Sequence, residues 1–220
     1  MNQKTALVIG ATGLIGRSLV SKLIERNEYK RIYVFVRKEV EYHDEKIIVH
    51  VRLFEHVSSD DFPVVDDVFC CIGTTMKKAK TKEAFKQVDY EFPLQFAKEA
   101  LAKGATQFLV ISSIGASSRS SFFYSRVKGE MEKEVMKLAY SHIHIFRPSL
   151  LLGQRSEIRV GEKMGEWGAK LAKPILRGKW AKYGAISGET VAEAMIHAAL
   201  TPSKRDINVY ESNEIMNMSK

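Results

Sequence analysis

Apolar segments of two lengths alternate along the chain. Short runs rich in β-branched and aromatic residues are separated by longer segments whose apolar positions recur at helical spacing. The first short run, from Thr5 to Ile9, is almost entirely apolar, which is typical of a strand buried on both faces of a sheet. This alternation predicts a doubly wound α/β fold, in which a parallel sheet carries helices on both faces.

The pattern places strands and helices over most of the chain. The predicted strands span residues 5–9, 31–36, 46–51, 67–72, 107–112, 143–146 and 207–210. The predicted helices are one with Leu19, Val20, Leu23 and Ile24 on one face, and others over 90–103, about 121–138, about 164–176 and 188–200. Gly104 ends the second helix, because glycine readily adopts the left-handed conformation found after helices.

The last third of the chain, from Leu151, changes character. We expect a single domain over residues 1–220, with a core at 1–150 and a small C-terminal substrate lobe at 151–220. That lobe should lie over the carboxyl ends of the strands, where ligands bind in open α/β sheets.

Composition narrows the class of protein. Hydrophobic residues make up 45% of the chain and charged residues 27%, as in ordinary globular proteins. No apolar run approaches the roughly 20 residues that a membrane helix needs, so we expect no membrane partner. Residues 1–5 lack the features of a secretory signal peptide, and we expect a cytoplasmic protein.

The chain is basic, with a net charge of +8. Such a charge can attract nucleic acid, anionic lipid or phosphorylated ligands. One local cluster contains Lys77, Lys78, Lys80, Lys82 and Lys86. No nucleic-acid motif accompanies it, so we interpret the cluster as solvated surface and do not expect nucleic-acid binding.

The two cysteines, Cys70 and Cys71, are adjacent in an apolar run. Two neighbouring cysteines exclude a disulfide framework and a multi-cysteine zinc site, and we expect no metal. At least one of them is expected to be a small core residue, with a redox role as the alternative.

Three glycines at a fixed spacing follow the first strand and open the first helix. In this context Gly10-x-x-Gly13-x-x-Gly16 indicates a dinucleotide-binding turn. Gly10 permits the tight turn, Gly13 allows backbone to approach a pyrophosphate, and Gly16 allows close helix packing. The helix N-terminus then offers free N–H groups to the phosphates. The alternative is a glycine turn without a ligand.

The end of the second strand indicates which nucleotide is bound. NAD sites usually place an acidic residue there to hold the ribose 2′-hydroxyl, whereas this chain has Arg37 and Lys38. An arginine pairs well with a 2′-phosphate, which favours NADP(H) over NAD(H). The alternative is a surface arginine without a role.

A tyrosine and a lysine, Tyr124 and Lys128, lie four residues apart in a predicted helix and therefore share a face. A nearby ammonium favours the phenolate form of a tyrosine. Such a pair can exchange a proton with a carbinol oxygen while hydride moves to or from nicotinamide. Ser113, at the end of the fifth strand, could hold the same oxygen. The alternative is an unrelated tyrosine and lysine on a helix surface.

These residues resemble the short-chain dehydrogenase/reductase superfamily, in its extended and atypical branches. Further similarity lies in Cys70-Cys71-Ile72-Gly73-Thr74-Thr75, Val88-Asp89-Tyr90, Ser112-Ser113-Ile114-Gly115-Ala116 and Phe146-Arg147-Pro148. Residues 155–162 are similar to the atypical subgroup named for the Tat-interacting oxidoreductase.

The resemblance implies an NADP-linked Rossmann fold and a set of site residues. Ser113, Tyr124 and Lys128 fall on the catalytic serine, tyrosine and lysine. Gly10, Thr12, Gly13, Leu14 and Ile15 fall on the nucleotide-binding turn, Arg37 on the 2′-phosphate reader, Gly73 beside the cofactor, and Pro148 near the nicotinamide. Tyr124 and Lys128 also bind cofactor in this scheme, and the Tyr124 helix is a common dimer surface in related proteins.

Two departures from typical members leave the proton path open. The stretch Ile72-Gly73-Thr74 stands where typical members have Asn-Ala-Gly, and the relay asparagine has only Asp89 as a positional candidate. Some atypical members bind NADP and act mainly as sensors.

Three hypotheses follow for the function. The first is an oxidoreductase acting on a small carbonyl or alcohol. The second is an NADP(H)-sensing protein that binds a protein partner through the C-terminal lobe or the lysine cluster. A nucleotide-sugar epimerase is a third, although the segment after Leu151 looks small for a sugar nucleotide. Arg155, Glu157 and Arg159 are expected either to bind an anionic substrate or to form salt bridges.

Overall fold

The computed structural model describes residues 3–152 and 185–219. The strands are β1 (Lys4–Ile9), β2 (Tyr29–Val36), β3 (Ile47–Val51), β4 (Asp67–Cys70), β5 (Gln107–Ile111), β6 (His142–Arg147), β7 (Leu151–Leu152), β8 (Ile186–Ser187) and β9 (Ile207–Glu211). The helices are α1 (Leu14–Glu25), α2 (Met76–Ala79), α3 (Lys82–Lys86), α4 (Phe92–Ala102), α5 (Phe123–Val135), α6 (Gly188–Leu200) and α7 (Ser212–Met218). A π-helical turn, Gln87–Glu91, joins α3 to α4.

A parallel sheet of seven strands organises the fold, in the order β3-β2-β1-β4-β5-β6-β9. The order runs outward in both directions from β1 and β4, as in a Rossmann-type sheet. The two short strands β7 and β8 form a separate parallel pair. The predicted α/β class and its doubly wound parallel sheet are confirmed.

Helices cover both faces of the sheet because successive strand residues point to opposite sides. In β1, Ala6 and Val8 belong to the core formed with α1 and α6, whereas Leu7 and Ile9 belong to the core formed with α4 and α5. All four β1 side chains are fully buried, as the apolar run predicts. Among the described helices, none is long and apolar enough to cross a membrane.

Most predicted boundaries differ from the structure by a few residues, with local causes. The predicted helix 90–103 is a π-helical turn followed by α4, and Gly104 ends it at a φ of +91°. The predicted helix 121–138 is α5, which begins later because Phe122 is extended. The Arg126 side chain donates to the carbonyl oxygens of Ser120 and Ser121 just before the helix.

The described end of the predicted C-terminal lobe completes the main sheet. Strand β9 pairs with β6, and α6 packs on α1, so residues 185–219 are part of the sheet and its covering helices rather than a separate lobe. The predicted helix at 164–176 lies outside the described residues. The division at residue 150, and a lobe formed by residues 153–184, stay predictions.

Candidate functional site

The turn between β1 and α1 has a backbone that only glycine accommodates. Gly10 has a φ of +85°, and a Cβ there would lie 2.8 Å from the carbonyl carbon and oxygen of Cys71. A Cβ on Gly16 would lie 2.1 Å from the Gly10 oxygen. Gly13 closes the turn by donating its N–H to the Gly10 oxygen at 3.0 Å. The glycine spacing therefore brings the helix directly onto the turn, as the sequence predicts.

The N-terminus of α1 is open to an anion. Gly13 is the residue that precedes the helix, it supplies no side-chain cap, and the first turn contains no acidic residue. Unpaired N–H groups and the helix dipole favour negative charge at such an end. Phosphate oxygens are suitable acceptors for these donors.

Arg37 lies directly after β2, at the carboxyl end of the sheet. Its side chain is exposed, and its guanidinium carbon lies 5.8 Å from the centroid of the Phe54 ring. Stacking over a ring restrains a guanidinium without using its hydrogen-bond donors. Arg37 therefore has its donors available for a ligand at this edge.

One cleft at the carboxyl end of the sheet joins the glycine turn to the Tyr124 helix. Its lining is Gly13, Leu14, Ile15, Cys71, Ile72, Gly73, Asp89, Ile111, Ser112, Tyr124 and Lys128. Six of the predicted site residues thus share this cleft: Gly13, Leu14, Ile15, Gly73, Tyr124 and Lys128. Gly10, Thr12, Arg37, Ser113 and Pro148 do not line it.

Lys128 is buried at the floor of this cleft and is paired with Asp89. Its Nζ lies 2.8 Å from Asp89 Oδ1, and the two side chains are 3% and 1% exposed. Lys128 Nζ also donates to the Ile111 carbonyl oxygen at 3.3 Å. Asp89 Oδ2 accepts the Thr74 N–H at 2.8 Å. Sequence reasoning had Asp89 only as a positional candidate and did not predict this ion pair.

Tyr124 is half-buried at the start of α5, one turn before Lys128. Its ring contacts the buried Phe85 of α3, with centroids 5.5 Å apart. Phe85 also contacts the Phe123 ring at 5.6 Å. This packing holds Tyr124 beside the cleft through α3, an element for which the sequence pattern predicted no helix.

Two serines end β5, and both are buried. Ser112 lines the cleft, whereas Ser113 is 5% exposed and does not. Neither hydroxyl has a hydrogen-bond partner among the described residues. Pro148 adjoins the same segment, because its carbonyl oxygen accepts the N–H of Ile114 at 3.0 Å. Among the described residues, Ser112 therefore brings a hydroxyl without a hydrogen-bond partner to the cleft, and Ser113 brings a second one to the adjoining position of the chain.

The cysteines are thiols in the core and at the cleft. Cys70 is fully buried, and burial raises its pKa to about 12. Cys71 lines the cleft, and burial likewise raises the pKa of its thiol. A raised pKa disfavours the reactive thiolate, which fits the core interpretation better than the redox alternative.

Other predicted features lie away from the cleft floor or outside the described residues. The lysine cluster lies on α2, α3 and the adjoining turns, with every member exposed. Lys82 approaches the site region, its Nζ lying 5.5 Å from the Phe123 ring centroid. Arg155, Glu157 and Arg159 lie outside the described residues. Within the described ranges, no three His, Cys, Asp or Glu side chains cluster as a metal site would require.

A parallel sheet with a glycine turn, an uncapped helix N-terminus and a cleft at the carboxyl ends of the strands defines a Rossmann-type α/β protein. The profile of the NAD dependent epimerase/dehydratase family matches residues 6–209. The chain belongs to this family, whose extended short-chain dehydrogenase character agrees with the resemblance seen in the sequence.

Two curated relatives cover almost the whole chain. It is 31% identical to Protein HTATIP2 of Rattus norvegicus, over 100% of this chain and 91% of that one. It is 30% identical to the mitochondrial Protein FMP52 of Eremothecium gossypii, over 98% of this chain and 97% of that one.

Solved structures share the fold at low sequence identity. The UDP-glucuronic acid 4-epimerase of Bacillus cereus, in complex with NAD, has a TM-score of 0.68 and 15% identity, over 97% of this chain and 80% of that one. The human epimerase family protein SDR39U1, with NADPH, has a TM-score of 0.61 and 14% identity, over 94% of this chain and 74% of that one.

The expectation of a cytoplasmic protein is wrong in the light of these relatives. FMP52 proteins of Eremothecium gossypii, Debaryomyces hansenii and Saccharomyces cerevisiae are named mitochondrial. The expectation depended on the lack of a secretory signal peptide. That feature concerns secretion alone, because mitochondrial addresses have a different, amphipathic and arginine-rich composition.

Proposed function

We propose that this protein is an NADP(H)-dependent oxidoreductase that transfers hydride between nicotinamide and a small carbonyl or alcohol. The observation that carries the proposal is the shared cleft. It joins the N-terminus of α1 to Tyr124 and to the buried Lys128. The proposed dinucleotide phosphate site would thus lie next to a tyrosine and a lysine that can serve proton transfer.

The residues present fit a dinucleotide. The Gly10–Gly13 turn brings bare backbone to the end of α1, and no side chain caps that end. Pyrophosphate oxygens would accept N–H groups there. Arg37, exposed at the end of β2, would pair with a 2′-phosphate. No carboxylate is present there to hold the 2′-hydroxyl of NAD.

The chain's own residues would handle the proton. The nicotinamide, when bound, supplies hydride chemistry. Tyr124 would act as the general acid or base at the substrate oxygen, and Lys128 would hold the nicotinamide ribose. A serine hydroxyl from the end of β5 would hold the same oxygen. The sequence assigns this role to Ser113. The neighbouring Ser112 lines the cleft and is a second candidate for it.

The comparisons support a nicotinamide dinucleotide as the cofactor, and the choice between NAD and NADP is left for experiment. Of the two solved structures named above, the first is a complex with NAD and the second contains NADPH. The NADP preference therefore depends on the end of β2, where Arg37 is present and a carboxylate is not.

The first experiment is a fluorescence titration of the purified protein with NADPH and NADH. We expect tight NADPH binding, weaker NADH binding, and about tenfold or greater loss of NADPH affinity in Arg37→Ala, because a charge-assisted phosphate contact disappears. The matched control is Lys38→Ala, the neighbouring exposed cation. If Arg37→Ala and Lys38→Ala bind NADPH equally well, the assignment of Arg37 is refuted. If neither nucleotide binds below about millimolar, the oxidoreductase proposal fails.

A second candidate is a redox sensor that binds NADP(H) and a protein partner with little turnover. The observation that favours it is the exposed lysine cluster beside the cleft, where Lys82 lies over Phe123 and Phe122 is 76% exposed. Exposed aromatic side chains are enriched at protein-binding surfaces, and a lysine cluster would attract an acidic partner.

Tyr124→Phe separates the two candidates. An oxidoreductase loses NADPH oxidation against a panel of aldehydes and ketones while NADPH binding persists, because only the hydroxyl is removed. A sensor shows no substrate-dependent oxidation in either form. Tyr90→Phe is the control, since Tyr90 lies on the adjoining π-helical turn and does not line the cleft.

A further inference from the structure

The buried ion pair between Asp89 and Lys128 has no place in the proton-transfer scheme above. We propose that Asp89 is a positioning residue that holds the Lys128 ammonium at the cleft floor and keeps it charged for nucleotide binding. This inference rests on the proposed nucleotide site.

The geometry of the pair ties three elements together. Asp89 lies in the π-helical turn, and Lys128 lies in α5. Asp89 also accepts a hydrogen bond from the N–H of Thr74, which follows β4. The same ammonium donates to the Ile111 oxygen at the end of β5. Asp89 therefore fixes the lysine relative to both strand ends that border the cleft. Insertions of the π type are frequent at functional sites.

Gly73 brings this pair next to the space where the cofactor is proposed to lie. A Cβ on Gly73 would lie 3.4 Å from Asp89 Oδ1 and 3.9 Å from Lys128 Nζ. Because Gly73 has no side chain, the pair borders the cleft directly. All three residues line it.

Because Lys128 is buried, its pairing with Asp89 affects whether the lysine stays charged. An ammonium removed from water is costly unless a counter-charge and hydrogen bonds compensate it. Here the carboxylate lies 2.8 Å away, so the lysine can stay protonated inside the protein. Without that carboxylate, burial favours the neutral amine, which binds ribose hydroxyls less well.

Other titratable groups among the described residues also face Lys128. Tyr124 lies one turn earlier on its own helix, and Cys71 shares the cleft. Cys70 in β4 lies close enough for its charge state to respond to both Lys128 and Asp89. Both cysteine pKa values are raised by burial, Cys70 to about 12, so neither thiol supplies a replacement negative charge near neutral pH.

The test is the pH dependence of NADPH binding by fluorescence, from about pH 7 to 9.5, where the 2′-phosphate is already ionised. We expect the wild-type affinity to change little across this range. Asp89→Asn should bind at least about tenfold more weakly at the upper end than at the lower end, because a buried lysine without its carboxylate partner loses its proton more readily as pH rises. Asp89→Glu, which retains the charge, should keep the flat profile even if its affinity is lower.

A double-mutant cycle shows whether Asp89 acts through Lys128. In the Lys128→Met background, Asp89→Asn should change neither the NADPH affinity nor its pH profile. The double variant has no unpaired buried charge and should fold even if Asp89→Asn alone does not. In that event, Asp89→Glu is compared with the double variant. Asp89→Glu should bind NADPH more tightly because it keeps a charged lysine, and equal NADPH affinities in the two would overturn the proposal.

The outcomes separate this inference from the proposed function. If wild type binds neither nucleotide, the proposed function fails, and the inference fails with it. If wild type binds NADPH and Asp89→Asn weakens it equally at every pH, Asp89 is merely structural and this inference alone is refuted. A flat profile for Asp89→Asn at wild-type affinity refutes it as well.

Discussion

Gly129 places α5 directly against the loop that precedes it. A Cβ at this position would lie 2.2 Å from the Ser117 carbonyl carbon and 2.3 Å from the Ser118 nitrogen, both backbone atoms. The loop cannot easily move away, because the Ser117 N–H donates to the Ser125 oxygen of the same helix at 3.0 Å. Gly129→Ala therefore requires the helix and loop to separate by about 1 Å in a close-packed region.

Two opposing effects set the size of the change. Alanine is preferred over glycine inside a helix by about 1 kcal/mol. Overpacking costs about 1–3 kcal/mol, and the backbone contacts place this site at or above the upper end. We expect a net loss of about 2 kcal/mol in the free energy of unfolding, or a melting temperature lower by about 4–8 °C for a chain of this size.

The assay is thermal unfolding followed by circular dichroism, with urea unfolding as a second measure. The control is Glu130→Ala, the next residue of α5, which has no hydrogen bond or ion pair to another described residue and should stay within about 0.5 kcal/mol of wild type. A Gly129→Ala protein as stable as wild type, or more stable, would refute the argument, because helix propensity would then outweigh the contact.

Three further predictions concern the turn, a buried ion pair and a buried histidine. Gly10→Ala should lower stability by about 3 kcal/mol and weaken NADPH binding, since it combines a positive φ with the Cys71 contact; thermal melts and fluorescence titration measure both, and wild-type values would contradict it. Glu132→Gln should lower the free energy of unfolding in urea by about 1–3 kcal/mol, because the buried carboxylate pairs with Arg147 through two hydrogen bonds of 3.0 and 2.6 Å. The loss is limited because the partly exposed arginine retains some hydration. Glu134→Gln, a more exposed position on the same helix, is the control. Burial lowers the pKa of His144 to about 4, so between this value and about pH 6.5 the folded state binds fewer protons than the unfolded state. The contribution of the neutral histidine to stability is therefore complete above about pH 6.5 and is lost as pH falls toward 4. Urea unfolding should show a smaller loss of stability over that window in His144→Phe than in wild type.

Local features of the site could be predicted from the sequence because they depend on neighbouring residues. The turn at Gly10, Gly13 and Gly16 follows from a strand, a positive φ and a helix start that are adjacent in the chain. The shared face of Tyr124 and Lys128 follows from helical spacing alone. Both features are where the sequence analysis predicted them.

Features that join distant segments were missed or left open. The Asp89–Lys128 pair connects the π-helical turn to α5. From the sequence, a single aspartate in an amphipathic segment is interpreted as an exposed residue, because its partner is far away in the chain. The signal that could have found it is an acidic residue on the apolar side of the segment 87–102, next to Phe92 and Phe96. The role of β9 was also misjudged, since a short strand near the end of the chain gives no sign of its pairing partner.

The sequence by itself determined the α/β class, the glycine turn and the Tyr124–Lys128 face, because strand alternation, glycine geometry and helical spacing are local properties. Only the tertiary structure decided the strand order, the addition of β9 beside β6, and the burial of Lys128 against Asp89. The physical reason is that these features depend on which surfaces lose water together. An ammonium and a carboxylate that are apart in the chain acquire their strong interaction only when packing removes both from solvent.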